Sequence, residues 1–340
     1  MKAVILLAAG QGTRMNSRRQ KILHEVGGRP MVRHAFLTAA AVADLKPVLV
    51  VGPGEAGVRD LIGEQADYVI QPEQLGTGHA TLMAKPVLDG RAEQVIVTYG
   101  DMPLLRPETL TALAERQAET GAAVVMLACL GDPASSFGRV IRNEAGRVTA
   151  IMEAAQARRE PNTAELLAIR EQNVGVYCFD GRWLWQNIPH LPLRQARSGP
   201  EYYLTDMVEM AVQQDRPVEA ILLPDADESL GAGTRAELVA VEKAFRRRAN
   251  QHWLAAGVTL IDPETTYIDP EVVIGQDTVI WPNSYLQGQT VIGEDCLIGP
   301  NAILRDAIVG DNVEIVQAVV EGVVIAPGRR VPPFTHLQKE

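Results

Sequence analysis

Ile274, Ile280, Leu286, Ile292, Ile298 and Leu304 stand six residues apart, and that spacing leaves few folds open to this part of the chain. Sandwich strands alternate inward and outward residues with a period of two and have no reason to keep a constant six. A parallel β-helix does: each six-residue unit supplies one inward aliphatic, and three units, roughly eighteen residues, close a coil. The pattern slips by one residue at Val309 and resumes through Ile315 to about Val331, giving roughly four coils. So short a solenoid has little room for chemistry of its own, so the chemistry is expected in the residues before it.

Those residues begin with a short apolar run, Val4-Ile5-Leu6-Leu7, the pattern of a strand buried on both faces. Ala8, Ala9, Gly10, Gly12 and Thr13 follow, then the basic Arg14 and Lys21. A buried strand that breaks into a glycine loop exposes consecutive backbone N–H groups, and such a nest binds anions. Arg14 and Lys21 add fixed positive charge where a polyphosphate would lie. On these residues alone the stretch reads as a phosphate-binding loop at the carboxyl end of the first strand of a doubly wound sheet. It is not a P-loop, because no Lys-Ser or Lys-Thr pair follows either glycine. Nor is it a dinucleotide fingerprint, which needs a small residue where this chain has Met15. A tight turn with solvated basic residues is the plain alternative for the loop taken alone.

The rest of the first 230 residues alternates strands and helices at a spacing that implies a mostly parallel sheet with right-handed crossovers. Strands are expected at 47–52, 68–70, 94–99 and 122–127, with helices at 31–42, 58–65, 79–85 and from Pro107. A hairpin is expected over 138–152, a polar helical stretch over 154–171 and a strand over 174–179. Trp183 and Trp185 read as core or lid packing. An amphipathic helix over 203–213 and a strand over 218–223 follow, then a long helix over 234–256. Its basic run Arg246-Arg247-Arg248 reads as a solvated face. The expected division is a nucleotide-binding domain at 1–232, a linker helix at 233–256 and the solenoid at 257–340.

Composition narrows the partners. A net charge of −10 argues against nucleic acid as the main partner, so any phosphate site is a local basic pocket in an acidic surface. Cys129, Cys178 and Cys296 are widely spaced and odd in number, with no zinc spacing, which suits a reducing cytoplasm. The Val4–Gly10 segment is too short for a signal peptide, and no run of 18 apolar residues occurs, so no membrane insertion is expected.

Several segments stand in a telling order: Leu7-Ala8-Ala9-Gly10-Gln11-Gly12-Thr13-Arg14-Met15, Lys21-Ile22-Leu23-His24, and Gln71-x-x-Gln74-Leu75-Gly76-Thr77-Gly78-His79-Ala80. Tyr99-Gly100-Asp101-Met102-Pro103-Leu104 and Glu201-Tyr202-Tyr203-Leu204-Thr205-Asp206 complete the set. Together they resemble the bacterial N-acetylglucosamine-1-phosphate uridylyltransferases, bifunctional enzymes that form UDP-N-acetylglucosamine for cell-wall synthesis. The glycine loop alone marks the wider sugar-nucleotidyltransferase group; the segment from Gln71 to Ala80 is far more specific.

The resemblance implies a nucleotidyltransferase-type, Rossmann-like doubly wound mixed sheet followed by a short left-handed parallel β-helix. It implies that Leu7, Ala8, Ala9 and Gly10 bracket the nucleotide, and that Gln71 reads the uracil edge, with Gln74, Gly76 and Thr77 around the base. Tyr99 and Gly100 would belong to the substrate site, and Asp101 would hold Mg²⁺. Arg14 and Lys21 would act with Asp101 in catalysis, and Gly138, Glu153 and Asn173 would hydrogen-bond the sugar. The implied substrates are UTP and a sugar-1-phosphate, and the implied assembly is a homo-oligomer, a trimer through the β-helix. Two departures stand out. Gly233 occupies the place of the family's second Mg²⁺ ligand, an asparagine, with Asp227, Glu228, the Thr234 hydroxyl or water as substitutes. The solenoid is shorter than the family's, so its acetyltransferase activity is expected to be absent. The competing readings are a related transferase using glucose-1-phosphate or dTTP, a nucleotide-sugar-binding regulator without turnover, and a dinucleotide-dependent oxidoreductase.

Overall fold

The apolar runs read from the sequence become the strands of one mixed sheet. In the computed structural model, residues 1–54, 56–196 and 199–339 are described, Ala196 by its backbone alone. The sheet is built from β1 (Lys2–Ala8), β2 (Val48–Val51), β3 (Asp67–Ile70), β4 (Gln94–Tyr99), β5 (Val124–Leu130), β6 (Arg139–Arg142), β7 (Val148–Met152), β8 (Glu171–Asp180) and β9 (Val218–Leu222). The order is β9-β5-β8-β4-β1-β2-β3, with the β6–β7 hairpin joined through β8. Along that path only β8 runs against its neighbours.

Strand β1 is apolar throughout its length because it borders two cores. Ala3, Ile5 and Leu7 pack into one with Trp183, Leu184, Trp185 and Met207. Val4, Leu6 and Ala8 pack into the other with Phe36 of helix Met31–Val42 and Leu110 and Leu113 of helix Pro107–Thr120. Helices on both faces make the sheet doubly wound. Both tryptophans are therefore core residues, neither part of a lid. Cys129 and Cys178 are buried free thiols, and burial pushes Cys178 up to about 12.

Several boundaries differ from the sequence expectation. The helix expected at 79–85 runs Gly76–Leu82, and a separate turn covers Lys85–Leu88. The polar stretch after the hairpin breaks into two short helices, Ala154–Ala157 and Thr163–Ala168. The long helix spans Arg235–Ala255. The chain divides into two compact units, Met1–His24 with Met31–Glu237 and Glu25–Pro30 with Leu238–Glu340, so the boundary falls inside that helix.

In the second unit, three parallel sheets of five, five and four short strands form a β-helix. Ile280, Leu286, Ile292, Ile298, Leu304, Val309, Ile315 and Val320 point inward and are buried. The six-residue step shortens to five at Leu304–Val309, Ile315–Val320 and Val320–Ile325, not at Val309 alone. Asp277, Asn283, Asp295, Asn301, Asp306 and Asn312 turn corners with positive φ, which short polar side chains tolerate. The basic run is not a uniformly solvated face. Arg246 is buried, its guanidinium 4.5 Å from the ring centre of Tyr267, which stacks on Tyr285 at 4.6 Å. A cation over an aromatic face, with its stem covered, stands in for solvent there. Among the described residues no helix is long and apolar enough to cross a membrane.

Candidate functional site

Ligands of open α/β sheets bind beyond the carboxyl ends of the strands, and here those ends gather the chemistry into one edge of the first unit. Strand β1 delivers Leu7, Ala8, Ala9 and Gly10. Gly12 has a φ of +63°, and a side chain there would fall against the Lys21 stem, so the loop closes tightly and sends Lys21 back over the sheet edge. Gly100 at the end of β4 donates to the Leu7 carbonyl at 3.0 Å, which fixes Asp101 beside β1. Lys21 Nζ forms an ion pair with Asp101 Oδ2, each side chain 18% exposed.

The segment from Gln71 to Ala80 is clamped on two sides. Gln74 donates from Nε2 to the Ala9 carbonyl at 2.5 Å. Tyr202 N–H donates to the Leu75 carbonyl at 2.8 Å, and Leu204 N–H to the Thr77 hydroxyl at 3.1 Å. Gly76 has a φ of +92°, and a Cβ there would lie 2.6 Å from the Tyr202 carbonyl, so only glycine fits. Gln71 is 3% exposed and donates from Nε2 to the Gly76 carbonyl at 3.1 Å.

A second cluster adjoins the first. Because β8 is antiparallel, its beginning rather than its end reaches this edge, and Asn173 arrives there. Asn173 N–H donates to the Gly138 carbonyl at 2.8 Å, and its side-chain amide donates to the Tyr177 hydroxyl at 2.8 Å. A Cβ on Gly138 would lie 3.6 Å from the Glu153 carboxyl. Glu153 accepts from the Thr205 hydroxyl at 3.3 Å. Burial raises its carboxyl above the usual range, with the Thr205 contact opposing and Asp206 and Glu201 adding. Burial, with Glu153 and then Asp101, holds the Tyr99 hydroxyl protonated far beyond neutrality, so one phenol senses both clusters.

The loop before helix Arg235–Ala255 closes the site. Ala232 N–H donates to the Asp101 carbonyl at 3.3 Å, and a Cβ on Gly231 would lie 3.9 Å from Asp101 Cγ. A Cβ on Gly233 would fall on Arg14 Nη2 and lie 3.1 Å from Glu237 Oε2, so Arg14 fills the space a side chain at 233 would take. Glu237 accepts from Gly233 N–H at 2.8 Å.

Of the proposed substitute ligands, Glu228 is excluded. It is 1% exposed and accepts from Arg106 N–H at 2.9 Å and the Thr109 hydroxyl at 2.6 Å, tying down the start of helix Pro107–Thr120. The Thr234 hydroxyl accepts from Glu237 N–H at 3.2 Å. Among the described residues no three acidic, histidine or cysteine side chains converge on a metal position. Mg²⁺ takes one or two carboxylates and completes its shell with phosphate and water. Asp101 fits that role, since its carboxylate already attracts one cation, Lys21.

Tyr177 and Thr205 complete the second cluster, and no role was assigned to either from the sequence. Thr205 lies in the Glu201–Asp206 segment, so a signal was present. Tyr177 sits inside an apolar run that reads as core.

A doubly wound sheet with a glycine–arginine loop after its first strand and a lysine–aspartate pair on its carboxyl edge suits a nucleotide's phosphates, and the family match makes the class a nucleotidyltransferase. Residues 4–194 match the MobA-like NTP transferase domain, and residues 271–306 the bacterial transferase hexapeptide (six repeats) family, whose left-handed β-helix the second unit forms. Relatives include the bifunctional protein GlmU of Exiguobacterium sibiricum, 41% identical over 99% of this chain and 73% of the relative. GlmU of Halalkalibacterium halodurans is 39% identical over 98% and 72%, and that of Heliobacterium modesticaldum 41% over 99% and 72%. The chain belongs to the GlmU family.

Proposed function

We propose that this chain transfers the uridylyl group of UTP to N-acetylglucosamine-1-phosphate, giving UDP-N-acetylglucosamine and pyrophosphate. The observation that carries the reading is the meeting of Lys21, Asp101 and the glycine loop beside a buried Gln71 on one sheet edge. The backbone of Leu7–Gly10 brackets the nucleotide, and Gln71, Gln74, Gly76 and Thr77 enclose the base. Gly138, Glu153 and Asn173 hold the sugar against Tyr99. A sugar-phosphate oxygen forms a bond to the α-phosphorus as the bond to the leaving pyrophosphate breaks in line. Arg14 and Lys21 stabilise the charge that moves onto the phosphates. Asp101 would hold Mg²⁺, which would supply further charge neutralisation. The buried thiols support a reducing, cytoplasmic setting.

Pyrophosphate release with UTP, dTTP, ATP and GTP against N-acetylglucosamine-1-phosphate and glucose-1-phosphate tests the reading. UTP is expected to exceed ATP by about a hundredfold or more in kcat/KM, since a slot matched to one base rejects another through unpaired polar groups. Comparable turnover with ATP would retire the uracil assignment.

With glycine at 233, that position offers no side chain to ligate a metal on Asp101. Gly233→Asn is expected to lower the Mg²⁺ concentration for half-saturation with base preference unchanged, Arg14 swinging aside because its side chain is exposed. Identical Mg²⁺ titrations for variant and parent would count against a deficient metal site.

The β-helix carries one further element of the proposal. Val273, Val291, Ile308 and Val324 lie in register on one of its sheets, 53%, 39%, 51% and 71% exposed. A continuous apolar ladder in water marks a contact surface, and a second and third copy of the chain, forming a trimer, are its proposed occupants. Ile308→Lys is expected to reduce the sedimenting mass to that of one chain. Unchanged mass would place the contact elsewhere.

A further inference from the structure

We infer that His79 fixes the orientation of the Gln71 amide and thereby sets the preference for uracil over cytosine. This rests on the nucleotide site proposed above. Gln71 Nε2 lies 3.1 Å from the Gly76 carbonyl and 3.2 Å from His79 Nδ1. A backbone carbonyl only accepts, so the atom facing it is the amide NH₂. One of its two protons goes to Gly76 and the other to His79. Nδ1 of His79 is then the ring nitrogen that carries the lone pair, and the ring proton sits on Nε2.

The Gly76 acceptor is held in place, and the half-buried His79 ring stands beside Tyr202. The Gly76 backbone is held under the Tyr202 carbonyl, its neighbour Leu75 accepts from Tyr202 N–H at 2.8 Å, and the His79 and Tyr202 rings lie 6.5 Å apart. Gln71 itself donates its backbone N–H to Val51 at 2.8 Å. With Nε2 committed twice, the remaining pole of the amide is Oε1, which only accepts.

That single choice separates the pyrimidines. Uracil presents an N3–H donor, which Oε1 accepts. Cytosine presents an N3 lone pair beside an amino group, so Oε1 meets a second acceptor and both lose their partners. Turning the amide to suit cytosine would set Oε1 against the Gly76 carbonyl and remove the donor from His79. The two anchors therefore hold one reading of the base, and His79 is the one that a side-chain substitution reaches.

The test compares kcat/KM for UTP and CTP in the parent, His79→Ala and His79→Asn, with N-acetylglucosamine-1-phosphate as acceptor. His79→Ala is expected to lower the UTP:CTP ratio by about tenfold, the scale of one buried hydrogen bond, mainly through KM for the nucleotide. The KM for the sugar phosphate stays at the parent value. His79→Asn sets an amide oxygen near the place of Nδ1 and is expected to restore most of the ratio. An unchanged ratio in His79→Ala, or an Asn variant no better than Ala, overturns the inference while leaving the uridylyltransferase reading intact. A parent that uses CTP as well as UTP overturns that reading itself. A nitrogen-15 NMR spectrum of the parent needs no variant: an unprotonated Nδ1 on His79 at neutral pH is expected, and a protonated Nδ1 overturns the inference.

Discussion

Asp101→Asn is expected to fold as the parent does and to lose about two orders of magnitude or more in kcat. The fold should survive because the backbone around Asp101 is held independently of its carboxylate. Gly100 N–H reaches the Leu7 carbonyl at 3.0 Å, and the Asp101 carbonyl accepts from Ala232. The Lys21 ion pair is lost between side chains only 18% exposed, but the asparagine oxygen can still accept from Lys21 Nζ, so the stability cost is about 1–3 kcal/mol. Catalysis is another matter. An amide is a weak ligand for Mg²⁺, and removing one stabiliser of developing charge commonly costs on the order of a hundredfold. The check is kcat at saturating substrates and metal beside a thermal midpoint. A folded Asn variant with near-parental kcat would remove Asp101 from the chemistry.

The largest stability effect away from the reacting groups is expected at Arg139, whose side chain is fully buried. Its guanidinium donates to the carbonyls of Phe137, Pro133 and Ser135, the last two at 2.6 and 3.3 Å. Burial lowers its affinity for the proton, with the charge of Arg158 a smaller contributor. Its register partner across the strands is Gln172, which works on the same loop. Gln172 donates to the Asp132 carbonyl at 2.7 Å and accepts from the Ser135 hydroxyl at 2.6 Å. Loop 131–137 is thus held by two buried side chains, and it leads directly to Gly138. Arg139→Met fills the volume but removes the donors to the carbonyls of Phe137, Pro133 and Ser135, at roughly 1–3 kcal/mol for each one that water does not reach. Part is regained by apolar burial, so a net loss of about 3 kcal/mol is expected, with a midpoint lowered by roughly 5–10 °C. A variant within about 1 kcal/mol of the parent by urea unfolding would show that water replaces those donors.

Segments whose function depends on contiguous residues were legible in the sequence. The glycine loop, the 71–80 segment and the end of β4 each set side chains by local geometry, and each was found at the same sheet edge. Strand β4 was read with the bounds the structure gives, because burial on both faces leaves an unbroken apolar run. What sequence could not supply was which polar atoms the chain itself uses. The Thr77 hydroxyl serves Leu204 through a contact from a distant segment, and Asn173 serves Tyr177, four residues on in the same strand. Arg246 looked solvated among three arginines because its aromatic cover, Tyr267, arrives some twenty residues later. Glu228 looked like an available carboxylate until Arg106 and Thr109 were seen to reach it. The three five-residue steps of the β-helix stand in the hydrophobic spacing itself, although only the slip at Val309 is apparent against a repeat of six.

Strand β1, shared by two cores, has a consequence for the loop that follows it. Sliding β1 by one residue would exchange every side chain between the two cores at once, so the strand has no near-equivalent position to visit. The strand works as a surveyor's benchmark, with the places of Gly10 and Gly12 measured from a point that both halves of the domain interior fix. Drift in peripheral helices would be averaged out before it reached that mark. Wherever the outer parts of the domain wander, the first glycine of the loop returns to the same coordinates.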